Sequence, residues 1–279
     1  MKFVTSDGTE LFIEKAGKGV PCIYLHGGPG YWSKSIQQYA GPLLEQDLEL
    51  LYADQRGCGR SSLATNKDYS LERLRLDIEE IRNYYQIDKW YLMGHSFGGI
   101  LAVNYAYQYP DNVEGIILSN ATLNMIDSFQ QQIQKGREFL QLDDIDIPTD
   151  DIATLTEIYF DTVQELMAKE LFSKLQFKDT SDKEKLDDVD QELDAKPDFQ
   201  QSVFSSGEFF QDFTSLTSAI TKPVLVMSGS HDFAVGPTHQ ESFQFPNAIY
   251  KQFDGGHHPY VDQQDNFQKA IRNFIQLHS

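Results

Sequence analysis

Gly94-His95-Ser96-Phe97-Gly98 lies between the apolar run Trp90-Tyr91-Leu92-Met93 and the small-residue run Gly99-Ile100-Leu101-Ala102-Val103. The first run reads as a buried strand and the second as a closely packed helix, so the pentapeptide is a sharp strand-to-helix turn with a serine at its apex. Such a turn needs positive φ at the serine, which lifts its Oγ above the sheet. A Cβ two residues to either side would strike the neighbouring strand or helix, and both places hold glycine, Gly94 and Gly98. The stretch predicts an exposed nucleophile, Ser96.

Working outward, residues 1–121 and 222–279 alternate short apolar strands with amphipathic helices. Strands are expected at Cys22–Leu25, Leu48–Ala53, Trp90–Met93, Val113–Ser119, Pro223–Met227 and Ala248–Phe253. Runs such as Ile116-Ile117-Leu118 and Val224-Leu225-Val226 are apolar throughout, as strands covered on both faces must be, which implies a parallel sheet. In Ser70–Ile87 the positions Leu71, Leu74, Ile78, Ile81 and Tyr85 form one helical stripe, with Ser70 as N-cap. Phe267, Ala270, Ile271 and Phe274 mark a second such helix. The expected fold class is α/β, a mostly parallel doubly wound sheet.

Residues 122–221 break this rhythm. They contain helical segments at Ser128–Leu140 and Thr154–Lys174 and a strongly acidic stretch, and they read as a helical cap inserted into the core. Most of those acids are expected on solvated helix faces. Asp143-Asp144-Ile145-Asp146 and Asp187-Asp188-Val189-Asp190 do not make calcium loops: a loop begun at Asp188 puts Leu193 where the turn glycine belongs and Phe199 where the bidentate glutamate belongs. No Cys/His metal spacing occurs, and neither metal nor cofactor is expected.

With 23 Lys and Arg against 42 Asp and Glu, the net charge of −19 disfavours nucleic acid and anionic membranes as partners. The two cysteines, Cys22 and Cys58, form no disulfide framework, which suits a reducing, cytoplasmic compartment. The N-terminus reads as a hairpin turning at Asp7-Gly8, and no apolar run is long enough to span a bilayer.

A serine hydroxyl needs a general base, and the base an orienting acid. On a sheet with this turn the chain order is serine, acid, histidine. Asp232 follows the strand Pro223–Met227, and Asp254-Gly255-Gly256-His257-His258-Pro259 follows the next strand. His257, directly after the glycine pair, is favoured as base over His258, which Pro259 restricts to extended geometry. His26, His95, His231, His239 and His278 are expected to be structural. The oxyanion of a tetrahedral intermediate needs two N–H donors, for which Phe97 and Gly28 of His26-Gly27-Gly28-Pro29-Gly30 stand in the right places.

His26-Gly27-Gly28-Pro29-Gly30, Asp54-Gln55-Arg56-Gly57-Cys58-Gly59-Arg60-Ser61 and Gly94-His95-Ser96-Phe97-Gly98-Gly99 together resemble the proline iminopeptidase branch of the α/β-hydrolases, across the whole core. Asp232 and His257 match that family's acid and base. The resemblance implies scaffold roles for Asp54 and Arg56, and cap carboxylates that grip a substrate's free α-amino group. Gly207-Glu208-Phe209 looks like the family segment supplying one such group, Glu208; the sequence does not place a second, for which Glu157, Glu165 and Glu170 are all candidates. His95 and Phe97 flank the serine as in generic esterases, where this branch more often has a small residue before it and Trp or Tyr after. The expected partner is a small-molecule or short-peptide substrate, with a proline-type aminopeptidase first and a capped carboxylesterase or lactonase as alternative. A non-catalytic scaffold of this fold commonly lacks a triad member, and here all three positions are filled.

Overall fold

The computed structural model describes residues 2–278. Lys2–Val4 (β1) and Glu10–Gly17 (β2) form the N-terminal hairpin, with Gly8 at φ 85° in its turn. Six strands follow: Val20–Leu25 (β3), Leu48–Ala53 (β4), Trp90–His95 (β5), Val113–Ser119 (β6), Val224–Gly229 (β7) and Ala248–Phe253 (β8). The helices are Lys34–Tyr39 (α1), Gly41–Leu44 (α2), Leu71–Tyr84 (α3), Gly98–Gln108 (α4), Met125–Leu140 (α5), Ile152–Ala168 (α6), Ser181–Asp190 (α7), Pro197–Ser205 (α8), Pro259–Asp262 (α9) and Gln264–His278 (α10). One 8-stranded sheet runs β1-β2-β4-β3-β5-β6-β7-β8, with β2 antiparallel to β1 and β4 and every other pair parallel.

The central strands are apolar throughout because both faces are covered. Ile23, Leu92, Ile116 and Val224 pack with α3 and α4 on one side, while Tyr24, Tyr91, Ile117 and Leu225 pack with α1 and α10 on the other. The α10 stripe gains Ile275 beyond the four residues expected. Each large apolar side chain buried there contributes about 1.5–3 kcal/mol. Ser70 caps α3, its Oγ accepting the Arg73 N–H at 3.2 Å. That helix stops at Tyr84, short of Ile87, because Gln86 turns into the left-handed region at φ 56°.

Between β6 and β7 the described residues form helices and short 3₁₀ turns and no strand. α5 begins three residues before Ser128 because the Asn124 side chain caps it, accepting the N–H groups of Ile126 and Asp127. The segment Thr154–Lys174 is not one helix. α6 ends at Ala168, Glu170 takes φ 57°, and a 3₁₀ turn occupies Phe172–Leu175. That break lets the chain bend back to the carboxyl end of the sheet. Among the described residues no helix is long and apolar enough to cross a membrane.

Candidate active site

The strand order reverses at β3, between β4 and β5, opening a crevice at the carboxyl ends of the parallel strands. Ser96 follows β5 at φ 53°. A Cβ on Gly94 would lie 2.6 Å from the Gly98 carbonyl oxygen, and one on Gly98 would lie 2.0 Å from that of Leu25. Glycine is therefore obligatory at both positions. The Ser96 N–H donates to the Ser119 carbonyl at 3.2 Å, and its own carbonyl accepts from Gly99 and Thr122. The serine is thus fixed on all sides but one, where it opens onto a cavity of about 510 Å³ shared with Gly27, Gly28 and His257.

His257 comes from the loop after β8, and its Nδ1 stands 2.9 Å from Asp232 Oδ2 beyond β7. A carboxylate only accepts, so Nδ1 carries the proton and Nε2 is left as a free base. His258 meets no carboxylate among the described residues; its Nδ1 is 2.9 Å from the Tyr260 hydroxyl, its ring stacks on Phe177, and burial holds its pKa well below the usual value. Burial alone would raise the Asp232 carboxyl. The charge and hydrogen bond of His257, then His239 and the Asn120 amide, outweigh it and hold the pKa below the ordinary range. Asp232 Oδ1 is occupied by the Ala234 and Val235 N–H groups at 3.0 and 3.2 Å.

Asn120 escaped the sequence reading. It sits just after β6 at φ 47°, and its Nδ2 donates to Asp232 Oδ2 at 2.8 Å and to the Gly256 carbonyl at 3.1 Å. It joins Asp232 to the loop bearing His257. Asparagine is the residue best suited to that backbone among those with an amide to donate. Neither the Gly28 nor the Phe97 N–H takes part in a hydrogen bond among the described residues.

The structure does not bring Glu208 into the cavity, which corrects the expectation drawn from the family segment. Its Oε2 accepts the Leu71 N–H at 3.1 Å, at the amino end of α3. The next residue, Phe209, turns inward instead and packs on Phe97 with ring centroids 5.5 Å apart. A carboxylate is stabilised at a helix N-terminus, whereas a phenyl ring belongs against the buried ring of Phe97. Glu157, Glu165 and Glu170 do not line the cavity either; their helical segment contributes Tyr159, Met167 and Phe172. The carboxylates that do line it are Asp187 and Asp190 on α7. Asp187 pairs with Lys183. Asp190 Oδ1 accepts from the Tyr31 hydroxyl at 2.8 Å and Trp32 Nε1 at 3.1 Å, and no hydrogen bond among the described residues uses Oδ2. Burial lifts the Asp190 carboxyl above its ordinary pKa, against the pull of those two donors. Among the described residues no group of three metal-ligating side chains occurs.

The alpha/beta hydrolase fold family matches residues 20–264. The chain belongs to that family. As an α/β hydrolase it is 37% identical over 112 residues to the proline iminopeptidase of Neisseria gonorrhoeae, a match covering 39% of this chain and 36% of that protein, so the chain spans about a third of that relative's length. It is 25% identical to the proline iminopeptidase of Heyndrickxia coagulans over 94% of this chain and 93% of that one. Among solved structures, a proline iminopeptidase-related protein of Thermus thermophilus superposes with a TM-score of 0.85 at 20% identity, covering 100% of this chain and 97% of that one. An esterase of Exiguobacterium antarcticum gives 0.73 at 21% identity, covering 99% of each. Likeness at these identities carries the fold of this α/β hydrolase alone.

Proposed function

We propose that this α/β hydrolase is a serine hydrolase working through an acyl-enzyme, and that it releases N-terminal residues, proline-type first, from short peptides. The observation that carries the chemistry is the meeting at one cavity of a strained serine, an imidazole held by a buried carboxylate, and the Gly28 backbone, whose N–H is uncommitted, as is that of Phe97, the residue after the serine. Ser96 Oγ attacks the substrate carbonyl while His257 Nε2 takes its proton. The oxyanion rests on the N–H groups of Gly28 and Phe97, and Asp232 stabilises the imidazolium. The imidazolium then protonates the departing amine, leaving an ester on Ser96. Water, deprotonated by His257, hydrolyses that ester and restores the hydroxyl. Residues 122–221 act as a cap over the core of 1–121 and 222–279.

The peptidase reading draws support from the relatives and from the Asp190 carboxylate, with one oxygen held by Tyr31 and Trp32 and the other unclaimed. In this reading Asp190 takes the place that Glu208 does not fill: it meets the substrate's ammonium group. A carboxylesterase or lactonase remains the second reading, favoured by the apolar wall of Tyr159, Met167, Phe172, Phe177 and Leu186.

Fluorophosphonate labelling should disappear in Ser96→Ala; labelling that persists refutes the nucleophile. Proline arylamide and a short-chain aryl ester then divide the two readings. With a peptidase, Asp190→Asn lowers kcat/KM on the arylamide by roughly 10- to 100-fold, the worth of a hydrogen bond to a charged group, and leaves the ester nearly unchanged. Rapid ester turnover without arylamide cleavage establishes the esterase instead.

A further inference from the structure

His95 is the residue before the nucleophile, 2% exposed, and its Nε2 stands 2.9 Å from the main-chain carbonyl oxygen of His257. A carbonyl accepts only, so the proton is on Nε2 and Nδ1 carries the lone pair. Nδ1 is buried without a partner, under Gly27, where a Cβ would lie 3.1 Å from it and 2.9 Å from Ser96 Cβ. Burial, then the neighbouring charge of His257, drops the His95 pKa to about 3, so the ring is neutral at neutral pH and its tautomer is fixed. The ring packs against His257, His258 and Tyr260 at centroid distances of 4.8, 5.2 and 5.2 Å.

His257 has three polar anchors. Its N–H donates to the Gln176 carbonyl at 2.6 Å, in the helical insertion, and its Nδ1–H to Asp232, in the loop after β7. The His95 bond is the one that starts on the same turn as Ser96. The first two fix the base to the insertion and to the acid; only the third ties it to the nucleophile. Proton transfer from Oγ to Nε2 tolerates little drift, since a misplacement of about 1 Å can cost about 100-fold.

We propose that His95 is a positioning residue, whose Nε2–H sets the base His257 against Ser96 by holding the His257 carbonyl. This rests on the acyl-enzyme reading above. It also gives a physical reason for a histidine at a position where the resemblance leads one to expect a small residue: the donor must reach from the elbow to the base loop, across the width of an imidazole. A leucine would fill much of the same volume and leave the carbonyl buried without a donor. A glutamine places its amide nitrogen where imidazole Nε2 lies, whereas the shorter asparagine amide ends near Nδ1 and falls short.

The test is the second-order rate of fluorophosphonate reaction with Ser96, measured on the full chain for His95→Leu, His95→Asn and His95→Gln beside His257→Ala, with the Tm of each. Leu and Asn should slow labelling about 10- to 100-fold, and Gln should recover most of the rate. With a turned-over substrate the same loss should appear in kcat rather than KM. Parent rates in Leu and Asn overturn the proposal, as does a Gln variant as slow as Leu, which would make ring shape rather than the donor the cause. If Leu lowers the Tm, the Asn and Gln pair decides, both being polar and similarly disruptive. Labelling of His257→Ala at the parent rate overturns the acyl-enzyme reading itself, and the positioning role with it.

Discussion

Two buried polar clusters lie within a few residues of each other in this fold, and they are built to opposite ends. In the loop after β4, Asp54 receives five hydrogen bonds, from the Ser33 N–H and hydroxyl and from the Arg60 N–H, Nε and Nη2. Arg56 spans Asp77 with Nε and Nη2 at 2.6 and 2.7 Å and reaches Asp7 at 2.8 Å with Nη1. His26 accepts the Gln55 N–H at 2.9 Å. The charged groups in this cluster all find partners, and only the neutral Gln55 Oε1 is left buried without one among the described residues, so the cluster holds a loop. Around Ser96 the Asp232 carboxylate is equally well tied, while the Gly28 and Phe97 N–H groups, His95 Nδ1 and His257 Nε2 have no hydrogen-bond partner among the described residues. The difference teaches that charge paired on every side marks a scaffold, whereas uncommitted donors and a free ring nitrogen beside a cavity mark a candidate site, even when both draw on the same residue types.

Breaking the saturated cluster should cost stability rather than chemistry. Arg56→Leu removes the partner of Asp7 Oδ2 and the bidentate partner of Asp77, which keeps only Arg73 at 2.9 Å, and the expected loss is about 3 kcal/mol in urea unfolding. Labelling of the folded fraction should be unchanged; a large drop there would merge the two clusters into one functional unit. The opposite pattern is expected for Asn120→Ala. Removing the amide that joins Asp232 to Gly256 should lower kcat/KM roughly 10- to 100-fold, with a smaller effect on the urea midpoint. Equal activity in that variant would make the bridge dispensable.

Acid sharpens the contrast further. Burial pushes the carboxyls of Asp7, Asp54 and Glu80 up, and bonds from Arg56, Arg60 and Arg73 respectively more than offset it, so all three sit below their ordinary values. A folded pKa below the unfolded one gives stability that is present above about pH 4 and is lost as pH falls through the folded values. The urea midpoint should therefore be lower at pH 3 than at pH 6, and an unchanged midpoint would contradict this. The smallest effect belongs to Glu208→Gln. It should cost under about 1 kcal/mol through the α3 amino end and leave both arylamide and ester hydrolysis as they were. A selective loss on the arylamide would restore Glu208 to the substrate pocket.

Much of the site was legible because its requirements are local. The positive φ at Ser96 and the collisions that Gly94 and Gly98 avoid arise within a few residues of chain, so their spacing is written in order along the sequence. Asp232 and His257 were legible for a related reason: strand order in a doubly wound sheet fixes which loops meet. Glu208 shows the limit. Which of two adjacent side chains, Glu208 or Phe209, faces inward depends on Phe97 and on the end of α3, more than a hundred residues earlier. Asn120 carried a weak signal, a polar residue ending an apolar strand, and Asp190 was hidden in a helix rich in solvated acids.

The sequence by itself determined the sheet, the turn that strains Ser96, the chain order of Ser96, Asp232 and His257 on neighbouring loops, and the solvated character of most of the acidic insertion. Those follow from side-chain periodicity and backbone sterics, which act over short separations. Only the tertiary structure decided which carboxylates line the cavity, that His95 donates to the His257 carbonyl, and that Asn120 ties Asp232 to the Gly256 carbonyl. Each is a hydrogen bond or an orientation set to within about an ångström by elements distant in the chain, and no pattern of residue types along one strand or helix records a distance across the fold.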